Sequence, residues 1–278
     1  MTQTSGQVHI IGAGLLGTSI GLRLTSLGVQ VSLEDQSEDH LQTAIKLGAG
    51  RNLLDGDQIS TVVVCVPPAA TAKVVTQALD RFPNAIVTEI ASVKSEIHKH
   101  LALSDSESKR FISSHPMAGK EVSGPEGATA NLFIGKPWVI VGDSSKEIEA
   151  LASDLGAAII YMGIEEHDEA VAKVSHLPQV ISSLLAGMFA DVDQKTLSIS
   201  GTGLTDTTRT AASDAELWTQ ILSSNRENLV PLLERYSKSL QLLIEGLKNN
   251  SGQEAAESIK KLMQTGNYGK ARIEESKP

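Results

Sequence analysis

A glycine-rich turn near the start of the chain has the residue types and spacing of a phosphate cradle. Gly12, Gly14 and Gly17 follow a short apolar segment and open a segment with helical spacing. Such glycines permit a tight bend, a close backbone approach to a pyrophosphate, and close packing of helix on strand. The phosphates then lie at the helix N-terminus, where free N–H groups bind anions. We therefore predict a dinucleotide site; a purely structural turn and a methyl-donor nucleotide site are the alternatives. The predicted cofactor contacts are Gly12, Gly14, Leu15, Leu16, Gly17 and Asp35.

Asp35 is included because it lies where dinucleotide-binding folds contact the ribose, roughly 20 residues after the last glycine. It follows a second apolar segment, residues 29–33, and no basic residue comes after it until Lys46. A carboxylate there binds the ribose 2′-hydroxyl and repels a 2′-phosphate. We expect NAD, with NADP less favoured and Glu34 as the alternative ribose contact.

Three further segments carry polar side chains suited to catalysis. Ser92 follows a predicted strand at residues 85–90, His115 follows another at residues 111–114, and His176 lies in a helical region. Ligands of open parallel sheets bind beyond the carboxyl ends of the strands. Ser92 and His115 are therefore candidates for the active site.

Alternating strands and helices must position these groups. Apolar segments predict strands at residues 8–11, 29–33, 62–66, 85–90, 111–114, 138–141 and 157–161, and helices at 15–27, from 37, 69–82 and 145–155. This alternation is typical of right-handed crossover units. The predicted fold class is α/β, with a Rossmann-like, mostly parallel sheet in a dinucleotide-binding domain over residues 1–163.

The remaining residues, 164–278, predict an all-helical C-terminal domain. Helical periodicity covers residues 165–192, interrupted by Pro178, then 214–248 and 251–264, and the tail at 271–278 looks frayed. Leucine-rich helical faces must be buried, either on the first domain or against a second copy. We expect this domain to form a homodimer.

Composition excludes several classes of partner. The chain has 24 basic and 33 acidic side chains and a net charge of −9. Binding to nucleic acid or to an anionic membrane surface requires a basic patch, so neither is expected. There is no signal-peptide pattern and no apolar run near the roughly 20 residues of a membrane span, so a cytoplasmic protein is expected.

A metal site is not expected. Cys65 is the one cysteine and is predicted to be a core strand residue. His98 and His100 are two residues apart, which places them on different sides of a helix. His167 lies in an acidic helix start and is predicted to be on the surface, as are those two histidines.

The motifs together resemble the prephenate/arogenate dehydrogenase family of tyrosine biosynthesis. The resemblance covers nearly the whole chain and depends on the order and spacing of several motifs. They are the glycine turn, Ala91-Ser92-Val93-Lys94, His115-Pro116-Met117-Ala118-Gly119-Lys120-Glu121, Asn131-Leu132-Phe133, Ser175-His176-Leu177-Pro178 and Gly203-Leu204-Thr205-Asp206-Thr207-Thr208-Arg209.

The resemblance implies an NAD(P)-dependent oxidative decarboxylation of a cyclohexadienol, prephenate or arogenate. His115 would accept the ring hydroxyl proton, and Ser92 would hydrogen-bond His115 or the same hydroxyl. Arg209 would bind a substrate carboxylate. The other implied substrate contacts are His176, Glu121, Asp206 and Trp218. Trp218 would lie in the pocket, including that of a partner subunit; the alternative is a core aromatic on a helix face.

Two alternatives remain from the residues alone. A 3-hydroxyacid dehydrogenase of the beta-hydroxyacid type shares the plan of a dinucleotide domain followed by helices. A non-catalytic NAD(H)-binding sensor would keep the glycine turn but would turn over no substrate. The sequence leaves open the choice between prephenate and arogenate, and any feedback inhibition by tyrosine.

Overall fold

The computed structural model describes residues 2–120, 122–248 and 252–276. Within these ranges, eight strands form one sheet in the order β3-β2-β1-β4-β5-β6-β7-β8. The strands are β1 (Gln7–Ile11), β2 (Val31–Glu34), β3 (Arg51–Asn52), β4 (Ile59–Val64), β5 (Ile86–Glu89), β6 (Phe111–Pro116), β7 (Pro137–Val141) and β8 (Ala158–Met162). All neighbouring pairs are parallel except β6 and β7, which run antiparallel. The mostly parallel α/β fold predicted from the sequence is confirmed.

Helices connect the strands. They are α1 (Leu15–Ser26), α2 (Glu38–Lys46), α3 (Pro68–Arg81), α4 (Ser95–His100), α5 (Asp105–Ser108) and α6 (Lys146–Asp154). The short elements β3, α4 and α5 were not predicted, because a segment of two to six residues shows too little periodicity. Cys65 lies just beyond β4 and is only partly buried, so its predicted place within a strand is wrong.

Helices also fill the chain after β8. They are α7 (Ile164–Val171), a π-helical turn (Ala172–His176), α8 (Leu177–Gly187), α9 (Gln194–Leu197), α10 (Thr202–Thr208), a 3₁₀ turn (Arg209–Ala212), α11 (Ala215–Ser224), α12 (Arg226–Lys248) and α13 (Gly252–Glu275).

Three details of the predicted helices are wrong. The interruption in the first long helical segment is the π-helical turn, and Pro178 instead lies in the first turn of α8, directly after it. The second segment breaks at Asn225. The described part of the tail is not frayed up to Glu275, because α13 continues to that residue.

The chain divides into two compact units, Met1–Arg226 and Glu227–Pro278. The first contains the whole sheet and the helices up to α11, and the second contains most of α12 and all of α13. This division differs from the predicted domain boundary at residues 163/164, which separates the sheet from the helices and stays a prediction.

An aliphatic core covers both faces of the sheet, as expected for a chain with 3% aromatic residues. Val8, Ile10 and Val63 are fully buried on one side, and Val62, Val75 and Leu79 are buried on the other. These side chains place the carboxyl ends of β1, β4 and β5 at one edge of the sheet. In the described part of the chain, no helix is both long enough and apolar enough to cross a membrane.

Candidate active site at the carboxyl edge of the sheet

One cavity of about 1200 Å³ lies at this edge, within the first unit. It runs from the glycine turn after β1, past Ser92 and His115, to Arg209 and Trp218. A cleft of this size holds a drug-sized or larger ligand. It brings together most of the residues that the sequence analysis selected from segments far apart in the chain.

The glycine turn forms one end of the cavity. Gly12 has φ +106°, and a Cβ there would lie 2.3 Å from the backbone oxygen of Cys65. A Cβ on Gly17 would lie 1.9 Å from the backbone oxygen of Gly12, so Gly17 supports the turn and is not part of the cavity wall. Gly14 borders open space. The turn is thus packed against backbone at Gly12 and Gly17 and open to the cavity at Gly14. This arrangement fits a dinucleotide pyrophosphate at the N-terminus of α1.

The acidic residues at the end of β2, Glu34 and Asp35, have different partners. Asp35 accepts hydrogen bonds from the backbone N–H groups of Ala13, at 2.6 Å, and Ser37, at 2.7 Å. Glu34 forms an ion pair with Arg81, with 2.6 Å between Oε2 and Nη1. All of these residues except Ala13 line the cavity. A carboxylate has room for further hydrogen bonds, so Asp35 can still accept a ribose hydroxyl.

His115 lies on β6, one residue before its end, and not beyond the strand as predicted. It pairs with Val139 of the antiparallel neighbour β7, which explains the longer strand. The side chain is buried, with 8% exposed, and lines the cavity. Ser92 lies in the loop after β5, also on the cavity wall. Among the described residues no hydrogen bond joins Ser92 to His115, contrary to one of the two predicted arrangements.

The partner of His115 is His167. Nδ1 of His115 lies 2.8 Å from Nε2 of His167, and Nδ1 of His167 lies 2.8 Å from Oδ1 of Asp168. The Asp168 carboxylate also accepts the backbone N–H groups of Lys94, at 2.9 Å, and Ser95, at 2.8 Å. His167 is fully buried, so its predicted surface position is wrong.

A buried ion pair lies beside this chain of hydrogen bonds. The Lys94 ammonium donates to Glu89 Oε1 and to the backbone oxygen of Ser114, both at 2.6 Å. Ser113 also hydrogen-bonds the Glu89 carboxylate. Lys94 and Glu89 are completely buried. The pair therefore fixes β6 directly before His115.

These surroundings keep His115 neutral. Burial, followed by the positive charges that His167, Lys94 and His176 carry when protonated, lowers the pKa of His115 well below its usual value. Burial also lowers the pKa of His167, although the hydrogen bond to Asp168 opposes this shift. A neutral imidazole is the form that can accept a proton.

His176 has a different environment. Its ring is completely buried at the end of the π-helical turn, nearly perpendicular to the ring of Trp218. Asn225 Nδ2 lies 3.1 Å from Nδ1 of His176, whereas Nε2 is buried without a hydrogen-bond partner among the described residues. Burial lowers the pKa of His176 to about 4. His176 is not on the cavity wall, but Ser175 and Trp218 beside it are.

The other predicted substrate contacts are distributed unevenly. Arg209 lines the cavity at the start of the 3₁₀ turn, which Gln179 holds through a 2.9 Å hydrogen bond to the backbone oxygen of Thr210. Asp206 is exposed on α10 and is not part of the wall. Glu121 lies outside the described residues.

Sequence reasoning missed His167 and Asp168. One signal was present: His167 is four residues before the buried Val171, so both lie on the same face of a helix. His98 was also predicted to be exposed, but its Nε2 atom is buried. In the described ranges, no cluster of three or more His, Cys, Asp or Glu side chains is placed to hold a metal ion.

Comparisons with known proteins identify the family. Residues 20–156 match the family model described as prephenate dehydrogenase, nucleotide-binding domain, and residues 164–265 match prephenate dehydrogenase, dimerization domain. The chain belongs to the prephenate dehydrogenase family. Membership of this family decides against the 3-hydroxyacid dehydrogenase alternative. The protein is an oxidoreductase with a nucleotide-binding domain.

Individual relatives agree with this assignment. The chain is 32% identical to the probable prephenate dehydrogenase NovF of Streptomyces niveus, covering 86% of this chain and 68% of the relative. It is 31% identical to the cyclohexadienyl dehydrogenase of Zymomonas mobilis, covering 91% and 92%. The chain is also similar to the structure of prephenate dehydrogenase from Aquifex aeolicus in complex with hydroxyphenyl propionate and NAD+. The two align with a TM-score of 0.81 at 26% identity, and the alignment covers 95% of this chain and 98% of the Aquifex chain.

Proposed function

We propose that this protein catalyses the oxidative decarboxylation of prephenate, arogenate or both in tyrosine biosynthesis. One observation carries the proposal: a single cavity joins the glycine turn to His115 and Arg209. An enzyme of this kind must hold a dinucleotide and a cyclohexadienol side by side, with a proton acceptor at the ring hydroxyl.

Arg209 and His176 are proposed to bind the substrate carboxylates. A guanidinium binds a carboxylate with two parallel hydrogen bonds. Asn225 Nδ2 donates to the backbone oxygen of Asp168 at 2.8 Å as well as to His176, which supports its amide orientation. Neutral His176 then carries its proton on the buried Nε2. An unpaired buried donor costs about 1–3 kcal/mol. A carboxylate oxygen that reached past the wall residues Ser175 and Trp218 would remove this cost.

His115 is proposed to accept the ring hydroxyl proton on Nε2, the nitrogen that His167 leaves available. Ser92 orients the same hydroxyl. As the O–H bond breaks, a carbonyl forms and hydride leaves the ring carbon. A dinucleotide held by the glycine turn would supply the oxidised nicotinamide as hydride acceptor. The ring carboxylate then departs as carbon dioxide, its bonding electrons complete the aromatic ring, and the ring oxygen takes the proton back from His115.

NAD is the proposed cofactor. Asp35 faces the cavity with a carboxylate held by two backbone N–H groups. A 2′-phosphate would meet this negative charge, whereas a 2′-hydroxyl would donate to it. Arg81, the nearby cation, is already paired with Glu34.

The choice between the two substrates depends on their side chains, since arogenate carries an ammonium where prephenate has a keto group. An acidic residue near that position would favour arogenate, and Glu121 is the candidate. Glu121→Gln is expected to shift the ratio of kcat/KM toward prephenate. An unchanged ratio would rule out this role.

A homodimer is the proposed assembly. In the second unit, α12 and α13 expose large apolar side chains, among them Leu240, Leu242, Leu247, Leu262 and Met263. Exposed apolar side chains in this number favour an interface, and this segment overlaps the matched dimerization domain. Light scattering giving a monomer mass would contradict the proposal.

The decisive experiment measures NADH or NADPH formation by the purified protein, crossing prephenate and arogenate with NAD and NADP. Turnover with NAD and either substrate is expected. Dinucleotide binding without turnover of any pair would favour the sensor alternative. The His115→Asn variant is the matched control, since it keeps the cofactor end of the cavity intact.

A further inference from the structure

We propose that His167 and Asp168 are positioning residues that hold His115 in the tautomer with a proton on Nδ1 and none on Nε2. The effect on turnover rests on the proposed function, whereas the tautomer itself does not. Neither residue lines the cavity, so both act through His115.

The proton positions follow from Asp168. Its carboxylate accepts the backbone N–H groups of Lys94 and Ser95. Burial opposes ionisation, but the hydrogen bonds from His167 and Ser95 outweigh it and lower the pKa of Asp168. Asp168 is therefore an ionised acceptor, and Nδ1 of His167 must be the donor across their 2.8 Å contact.

The same logic determines the state of His115. A neutral His167 with its proton on Nδ1 has an unprotonated Nε2, which can only accept. His115 Nδ1, 2.8 Å away, must therefore donate. A neutral His115 has one proton on its ring, so its Nε2 carries a free lone pair.

Charge reinforces this arrangement. The ionisable groups around the pair are Lys94 and Glu89, which neutralise each other in a 2.6 Å ion pair, together with His176 and Asp168. Asp168 is the negative charge aligned with the two imidazoles. It therefore stabilises the positive charge that develops when His115 takes a proton, as the aspartate of a hydrolase triad does for its histidine.

The tautomer is tested first, by nitrogen NMR of the full-length protein with isotope-labelled histidine at about pH 8, above the usual histidine pKa. The His115 resonances are assigned by their loss in His115→Asn. We expect Nδ1 protonated and Nε2 unprotonated. A His115 with its proton on Nε2 overturns the inference, whether or not the protein turns over prephenate.

Three variants then test the consequence for turnover. His167→Leu removes the acceptor for His115 Nδ1–H, so kcat is expected to fall roughly 10²-fold or more, within the range for losing a general base. His167→Gln offers a side-chain oxygen to the same N–H and should recover at least about tenfold of this loss. Glu169→Gln is the control, because Glu169 is exposed and pairs only loosely with Lys173, at 3.5 Å.

Dinucleotide binding and the thermal midpoint show whether each variant is folded. In folded protein, equal kcat for wild type and His167→Leu would overturn the inference. Asp168→Asn provides an independent readout. Without the carboxylate, a protonated His115–His167 pair is less stable, so the acidic limb of the kcat profile should move to lower pH. An unmoved limb would contradict the role of Asp168.

Discussion

The end of β6 and the π-helical turn each bury one neutral histidine, but they give it opposite hydrogen-bonding roles. At β6, His115 Nδ1 faces the acceptor His167, which leaves Nε2 as an acceptor for a ligand. At the π-helical turn, His176 Nδ1 faces the donor Asn225, which leaves Nε2 as a donor. The comparison teaches that the residue on Nδ1, and not the histidine itself, decides whether the imidazole takes a proton or offers one.

Replacing His115, the proposed proton acceptor, should have the largest effect on turnover. His115→Asn is expected to lower kcat by roughly 10²–10⁴, the usual contribution of a general base. Asparagine fills most of the space of the imidazole, so dinucleotide binding should be retained. Steady-state kinetics and NADH binding measure both quantities. Undiminished kcat would refute the proton-acceptor role.

Acid should destabilise the folded protein through the buried histidines of both regions. Burial lowers the pKa of His176 from 6.5 to about 4, and it lowers the pKa values of His115 and His167 in the same direction. Below pH 6.5 the unfolded chain binds more protons than the folded one, so the free energy of unfolding must decrease as the pH is lowered.

His176 alone should contribute a loss of about 2 kcal/mol between pH 6.5 and about pH 5. Urea unfolding at fixed protein concentration measures this slope. His176→Gln does not titrate and should show a shallower slope than the wild type. Equal slopes would mean that His176 is not a buried neutral group.

Replacing His176, whose Nε2 is the proposed donor to the substrate, should mainly weaken substrate binding. A hydrogen bond to a charged group contributes about 1.5–3 kcal/mol, or roughly 10- to 150-fold in kcat/KM. His176→Leu is expected to show this loss chiefly as a higher KM for the substrate. His176→Gln keeps an N–H donor and should lose less. A fall confined to kcat would instead place His176 with the proton-transfer groups.

The smallest effect is expected at the cofactor end, which contains neither histidine. Asp35→Ser removes the negative charge but keeps a hydrogen-bonding group. The NAD preference over NADP, as a ratio of kcat/KM, should fall about tenfold, corresponding to about 1.4 kcal/mol. Turnover with NAD should stay within the same order of magnitude. An unchanged ratio would mean that another residue discriminates between NAD and NADP, with Glu34 as the first candidate.

Local patterns were sufficient to select Gly12, Gly14 and Asp35, which line one end of the cavity. The glycine spacing, the acidic residue after β2 and the alternation of strands and helices all depend on neighbours within about 20 residues. Periodicity also predicted the seven longer strands, but not β3, which has only two residues. Helix boundaries at Asn225 and at the π-helical turn were missed, since periodicity continues across both.

The sequence by itself determined the fold class, the dinucleotide turn and the candidate histidines. Tertiary structure alone decided which groups touch those histidines. His115 and His167 are 52 residues apart, and His176 and Asn225 are 49 apart. A histidine's pKa and tautomer depend on burial and on the partner of each nitrogen. Those partners are brought together only when β6, α7 and α11 pack at the edge of the sheet, and for this reason a buried His167 looked like a surface residue in the sequence.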